Sequence, residues 1–193
     1  MRAMKFFSEG LCAFLAVALA ATAASAHTGV GATSGLAAGL AHPVFGLDHL
    51  IVMLAVGLWA GQLGGRARLA LPLSFFGLIA AGMALAVALP VLAVSELAVL
   101  ATVIALGLLV GLEVRLSTTL AALLVGGFAL VHGHVHGAEV PATASGLAYG
   151  AGVLTTTALL LAGGVALRAM LGRAAARVAG LAAVAVGGIL AAA

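Results

Sequence analysis

Six apolar stretches, at residues 43–61, 69–89, 91–112, 116–132, 143–165 and 178–193, follow one another with only short polar breaks between them. A helix rises about 1.5 Å per residue, so about 20 apolar residues cross a hydrocarbon layer about 30 Å thick. Most of these stretches reach that length; the last is short. Soluble domains carry roughly a quarter charged residues, whereas this chain has 7 % charged and 65 % hydrophobic residues. The sequence therefore predicts an all-α, polytopic membrane helix bundle of six transmembrane helices in contact with the lipid bilayer. Intrinsic disorder is excluded, because disordered chains are poor in apolar residues. A nucleic-acid partner is excluded too, because a formal net charge of only +3 forms no basic patch to hold phosphates.

The first 26 residues read as a cleavable secretory signal: Arg2 and Lys5 start it, an apolar run covers Leu11 to Ala21, and Ala24-Ser25-Ala26 supplies small residues for cleavage. Residues 27–193 then form a single six-span domain that begins at His27. The rival reading, an uncleaved first span, asks more length than the apolar run has. Cys12 is the only cysteine and lies inside that signal, so the mature chain would hold no thiol or disulfide. Soft-metal chemistry would have to use His or Met.

A cleaved signal leaves the mature N-terminus outside the cytoplasm, and the loops after spans one, three and five inside it. Those loops carry Arg66 and Arg68, then Arg115, then Arg168, Arg173 and Arg177, which are all the arginines after the signal. This is the positive-inside pattern. The expected location is a bacterial inner membrane, with six spans and both mature termini periplasmic.

Glycines recur at four-residue spacing at Gly31, Gly35 and Gly39, at Gly57 and Gly61, at Gly107 and Gly111, and at Gly146 and Gly150. That spacing aligns them on one helical face and lets backbones approach. The apolar piece Thr33 to Ala41 is too short to span and reads as a half-helix lining a cavity, as in broken-helix transporters.

Ionisable groups inside membrane segments are costly, which makes them functional candidates. Here they form two groups. His42-Pro43-Val44-Phe45-Gly46-Leu47-Asp48-His49 stands at the outer start of span one and holds the only Asp. Pro43 suits a first helical position, and a helix brings His42 and His49 to nearly one face two turns apart. Asp48 is either a ligand or an orienting partner for an imidazole. Met53 follows His49 by one turn; it is read both as a packing residue and as a soft ligand.

The second group, His132-Gly133-His134-Val135-His136-Gly137-Ala138-Glu139, stands at the outer end of span four. A continuing helix aligns His132, His136 and Glu139 and turns His134 elsewhere. An extended segment would instead align the three histidines. Topology places both groups at the outer ends of spans one and four. His27 would lie on the same side, where its amine and imidazole together form a chelate.

Imidazoles with carboxylates and no thiolate suit nickel, copper, zinc, cobalt or iron, and residue types alone do not choose among them. An enzyme is not expected: Ser74, Ser95 and Ser117 stand in no setting that would activate a nucleophile. The Gly-rich stretches lack the Lys and Ser/Thr of a phosphate loop, so no ATP site is expected and no cofactor is implied. Two functions stay open at this point, transport of a divalent metal and metal sensing or donation to a partner. Oligomeric state is not legible.

The signal peptide, the run His-Pro-Val-Phe-Gly-Leu-Asp-His into Leu-Ile-Val-Met-Leu-Ala-Val-Gly-Leu-Trp-Ala, and the later His-Gly-His-Val-His-Gly-Ala-Glu resemble the HupE/UreJ family over essentially the whole mature length. The resemblance implies a nickel permease associated with hydrogenase or urease maturation; donor chemistry by itself leaves Co2+, Zn2+ and Cu2+ as alternative cargoes. It places the family's first motif on His42, Asp48 and His49, with Met53 following, and the second on His132, His134, His136 and Glu139. Many family members carry a further His in span five, in a Leu-Leu-His-type sequence, where this chain reads Leu159-Leu160-Leu161-Ala162-Gly163.

Overall fold

Within a bilayer every backbone amide needs an internal partner, and an uninterrupted helix supplies one residue by residue. The computed structural model describes residues 35–89 and 96–192, and these fold into seven α-helices with no strand among the described residues. They are α1 (Gly35–Phe45), α2 (Leu47–Leu63), α3 (Ala67–Ala88), α4 (Glu96–Gly111), α5 (Thr118–Ala138), α6 (Gly146–Met170) and α7 (Arg173–Ala192). The expected signal, residues 1–26, and His27 lie outside the described residues.

Four helices, α3, α5, α6 and α7, are each long and apolar enough to cross a membrane. The pair α1 and α2 meets the same test as one span broken by a 75° bend, and α4, with 16 residues, is a shorter apolar helix. The fold is thus an all-helical, multi-pass membrane bundle. Large aliphatic side chains cover its outside, among them Leu69, Leu73, Leu123, Leu147 and Leu159. Lipid, unlike water, imposes no cost on that surface.

Several boundaries differ from the expected ones. The last helix begins at Arg173, five residues before the expected stretch, and its 20 residues remove the apparent shortage of length. The helix of span four continues to Ala138 instead of ending near residue 132. Pro43 does not open span one: it lies inside the last turn of α1, and the chain breaks at Gly46, where the backbone turns extended (φ −76°, ψ 102°). The helical bond from Gly46 N to His42 O (3.0 Å) closes α1, and the bond from Leu50 N to Gly46 O (2.9 Å) opens α2. The piece read as a half-helix over Thr33–Ala41 is described from Gly35 and runs on to Phe45.

α2 forms the centre of the bundle, and Val52, Met53, Val56, Trp59 and Ala60 are wholly enclosed there. Around it the helices pair closely as α3 with α5, α1 and α2 with α6, and α4 with α7. Glycines permit each pairing, since a methyl group there would strike the opposite backbone. Gly39 lies against Tyr149 and Gly152 against Leu36 and Leu40; Gly57 lies against Leu161 and Gly164 against Leu54; Gly82 and Gly133 face one another; Gly107 and Gly111 meet Gly180. Of the expected stripes, Gly146 and Gly150 are not tight contacts, and Gly152 takes that role on α6.

Side chains satisfy the freed ends of the helices. Ser117 and Ser145 cap α5 and α6 by accepting from Leu120 N (3.3 Å) and Ala148 N (3.4 Å). Gln62 Nε2 donates to Val110 O (3.1 Å) and Arg177 Nε to Gly111 O (3.3 Å), occupying carbonyls at the end of α4. Trp59 Nε1 donates to Val114 O (2.9 Å) in the loop that follows.

Candidate metal centre

The bend at Gly46 determines the geometry of the site. On a straight helix His42 and His49 would be separated by about 10 Å of rise; folded back at 75°, their ring centroids stand 5.5 Å apart. A Cβ on Gly46 would press on His49 Nδ1 at 3.1 Å and Asp48 Oδ1 at 3.3 Å, so this glycine lets the turn close against the pair. Thr156 Oγ1 donates to Leu40 O (2.9 Å) and fastens α1 to α6.

α5 brings the second motif to the same place. Because the helix runs through it, the extended alternative falls, and His132 and His136 share one face. The His136 ring meets that of His49 tilted at 4.3 Å and that of His42 edge-on at 4.9 Å between centroids. Glu139, the residue that ends α5, reaches His42 Nε2 with its Oε2 at 3.1 Å. One ligand atom from each of His42, His49, His136 and Glu139 lies within 4.8 Å of the others. Three helices supply these four residues. In a four-coordinate site with bonds of about 2 Å the ligand atoms stand roughly 3–3.5 Å apart, so small side-chain rotations would close the group on an ion.

The remaining candidates are placed differently. Asp48 Oδ1 accepts from His49 Nδ1 (2.7 Å) and from the His49 backbone amide (2.9 Å), and His49 Nε2 is buried without a partner. His132 is fully buried one turn deeper, its ring 5.1 Å from that of His49 and 6.3 Å from Phe75, and it is outside the four-residue group. His134 is buried but lies about 200° round α5 from His132; its Nε2 also lacks a partner. Met53 is wholly enclosed in the core of α2. Both ring nitrogens of His136 are buried without a hydrogen-bond partner. Unpartnered buried nitrogens are costly, and a cation would satisfy them.

Two neighbours escaped the sequence reading. Tyr149 of α6 is buried with its ring 5.9 Å from His42 and its hydroxyl unpartnered. Thr102 of α4 sits 2.7 Å from His132 Nε2. A lone hydroxyl amid apolar residues was the available signal for each, but nothing local says which histidine it meets. Leu161, in the segment where the resemblance led to the expectation of a further His, is buried with its carbonyl against Gly57. It lies about 18 Å along α6 from Tyr149, well away from the four-residue group.

The opposite end of the bundle is basic. Gln62, Glu113, Arg115, Arg168 and Arg173 line a small cavity there. Glu113 receives both arms of the Arg173 guanidinium, Nε to Oε1 at 3.2 Å and a terminal nitrogen to Oε2 at 2.7 Å. That hydrogen-bonded pairing holds the Glu113 carboxyl below its ordinary range, and the neighbouring Arg177 and Arg115 add to the effect. Glu113 adopts φ 53°, the only positive φ outside glycine among the described residues.

A multi-pass helical membrane bundle that gathers imidazoles and a carboxylate at one end, with its arginines at the other, is the class defined by fold and site. Residues 15–191 match the sequence profile of the HupE / UreJ protein family, and the chain belongs to that family. It is 44 % identical over 161 residues to Protein HupE of Rhizobium leguminosarum bv. viciae, covering 81 % of this chain and 84 % of that one. No solved structure matches it.

Proposed function

We propose that this chain is an inner-membrane permease for a divalent transition metal, with Ni2+ as its cargo for hydrogenase or urease maturation. The observation that carries the reading is the four-residue group His42, His49, His136 and Glu139, assembled from three helices in a chain of the HupE/UreJ family. His42, His49 and His136 supply imidazole ligands, Glu139 a carboxylate, and Asp48 orients His49 by accepting its Nδ1 proton. His132 and His134 stand as further imidazoles on α5, Met53 as a thioether one turn from His49, and His27 as an outer ligand that would deliver metal to the group.

The bent pair α1–α2 counts as one span and α4 as another, giving six spans in all. The arginine-rich end is cytoplasmic; the histidine end and both mature termini are periplasmic. Metal enters among the imidazoles and leaves at an end whose arginines do not retain cations. Since the chain has no phosphate loop, transport is passive or coupled to an ion.

Uptake of radioactive nickel into cells expressing the chain tests the reading, with Co2+, Zn2+ and Cu2+ as competitors. Uptake should be lost in His49→Ala and His136→Ala at equal membrane abundance. Tight binding by the purified protein with no uptake would instead assign a sensor or donor role.

A further inference from the structure

Thr102 lies in the middle of an apolar helix, and its hydroxyl has two close neighbours. Its Oγ1 stands 2.7 Å from Val99 O, one turn back on α4, and 2.7 Å from His132 Nε2 across the interface with α5. A hydroxyl has one proton to give. If that proton went to His132, two bare oxygens would face one another at 2.7 Å, Thr102 Oγ1 and the Val99 carbonyl. With the proton donated to Val99 O, Oγ1 offers a lone pair to His132, and the ring nitrogen must be the donor. His132 then carries its proton on Nε2.

The consequence falls on the other ring nitrogen. His132 Nδ1 is left as a bare lone pair, and it is buried with no hydrogen-bond partner. His132 stands four residues, or about 6 Å of helix rise, further from the outer end of α5 than His136. Its ring centroid is 5.1 Å from that of His49, whose own open nitrogen is Nε2. The two histidines therefore engage opposite ring nitrogens, His49 its Nδ1 with Asp48 and His132 its Nε2 with Thr102.

We propose that Thr102 is a positioning residue that holds His132 in the tautomer presenting Nδ1, making this nitrogen an inner ligand that accepts a divalent metal ion from the outer group. The inference deepens the permease reading and rests on it for the direction of metal movement. The tautomer and the ligand role are properties of the resting protein and can be read without transport.

The test uses the purified full chain with nitrogen-15-labelled histidine, and the His132 signals are identified by their loss in His132→Gln. In the unmodified protein the NMR spectrum should show the proton on Nε2. Thr102→Val keeps the side-chain shape without the oxygen and should populate both tautomers; Thr102→Ser should restore the single one. In Ni2+ titrations, His132→Gln and Thr102→Val should both weaken binding, Thr102→Val by about tenfold or more, as loss of an orienting partner commonly does. Thr102→Ser should stay within about twofold of the unmodified protein.

A proton on Nδ1 in the unmodified protein overturns the proposal. Equal affinity in Thr102→Val and the unmodified chain, or undiminished affinity in His132→Gln, does the same. Since both readouts are made on the purified protein, absence of nickel flux through the unmodified chain would overturn the permease reading and leave the Thr102 assignment standing.

Discussion

His49 is the residue on which the site converges: its ring contacts those of His42, His132 and His136, and Asp48 fixes its proton. Removing it or His136 should lower Ni2+ affinity by at least about a hundredfold, whereas His134→Ala, which touches nothing in the group, should change it less than about threefold; isothermal titration on purified variants measures both. Asp48→Asn should cost about 10- to 100-fold, because the amide can still meet the ring but no longer dictates which nitrogen keeps the proton. Imidazoles bind metal only when deprotonated, so affinity should fall once the medium is acid enough to protonate the group. The residue types of the site were legible from the sequence because charged and aromatic-nitrogen side chains are scarce in apolar helices. The partners were not: Thr102 and His132 are 30 residues apart, and nothing in either local sequence records that α4 packs them together.

Among the elements, the bend between α1 and α2 decides the geometry of the histidine group and the glycine contacts decide the packing. Apolar runs located the described helix ends to within about six residues, but the break was expected at Pro43 and falls at Gly46. A proline in a last turn interrupts little, whereas the glycine accepts the extended backbone and the close approach of His49. Spacing found Gly57 and Gly107 but not Gly82 or Gly133, since only the docked helices show which glycine meets a backbone. Two adjacent glycines of α6 make this testable. A Cβ at Gly164 would collide with the Leu54 carbonyl, whereas at Gly163 its nearest neighbour is Leu54 Cδ2 at 3.9 Å. Gly164→Ala should therefore destabilise by about 1–3 kcal/mol, as overpacking does. Gly163→Ala should leave the melting temperature in detergent unchanged or raised, because alanine favours the helix.

At the scale of the whole molecule the bundle is polar along its axis, with the imidazoles, Asp48 and Glu139 at one end and, among the described residues, the arginines with Glu113 at the other. The Glu113–Arg173 pair ties the end of α4 to the start of α7 at the basic end. Because the folded protein holds the Glu113 carboxyl below its ordinary range, the pair contributes stability above that range and loses it as pH falls through the lowered value. The melting temperatures of the unmodified chain and Glu113→Gln should accordingly differ at neutral pH and converge in acid. Signal cleavage and orientation are expectations drawn from charge placement and composition, and residues 1–26 lie outside the described residues. How metal would cross the enclosed layer around Trp59 was not legible from the sequence, since it depends on packing among helices distant in sequence. On the permease reading this chain carries metal through its histidine group without another protein, and nickel flux into liposomes containing only the purified protein measures that. The expected result is saturable flux through the unmodified chain, absent in His49→Ala and in His136→Ala. Liposomes that bind nickel at their surface but accumulate none inside would contradict it.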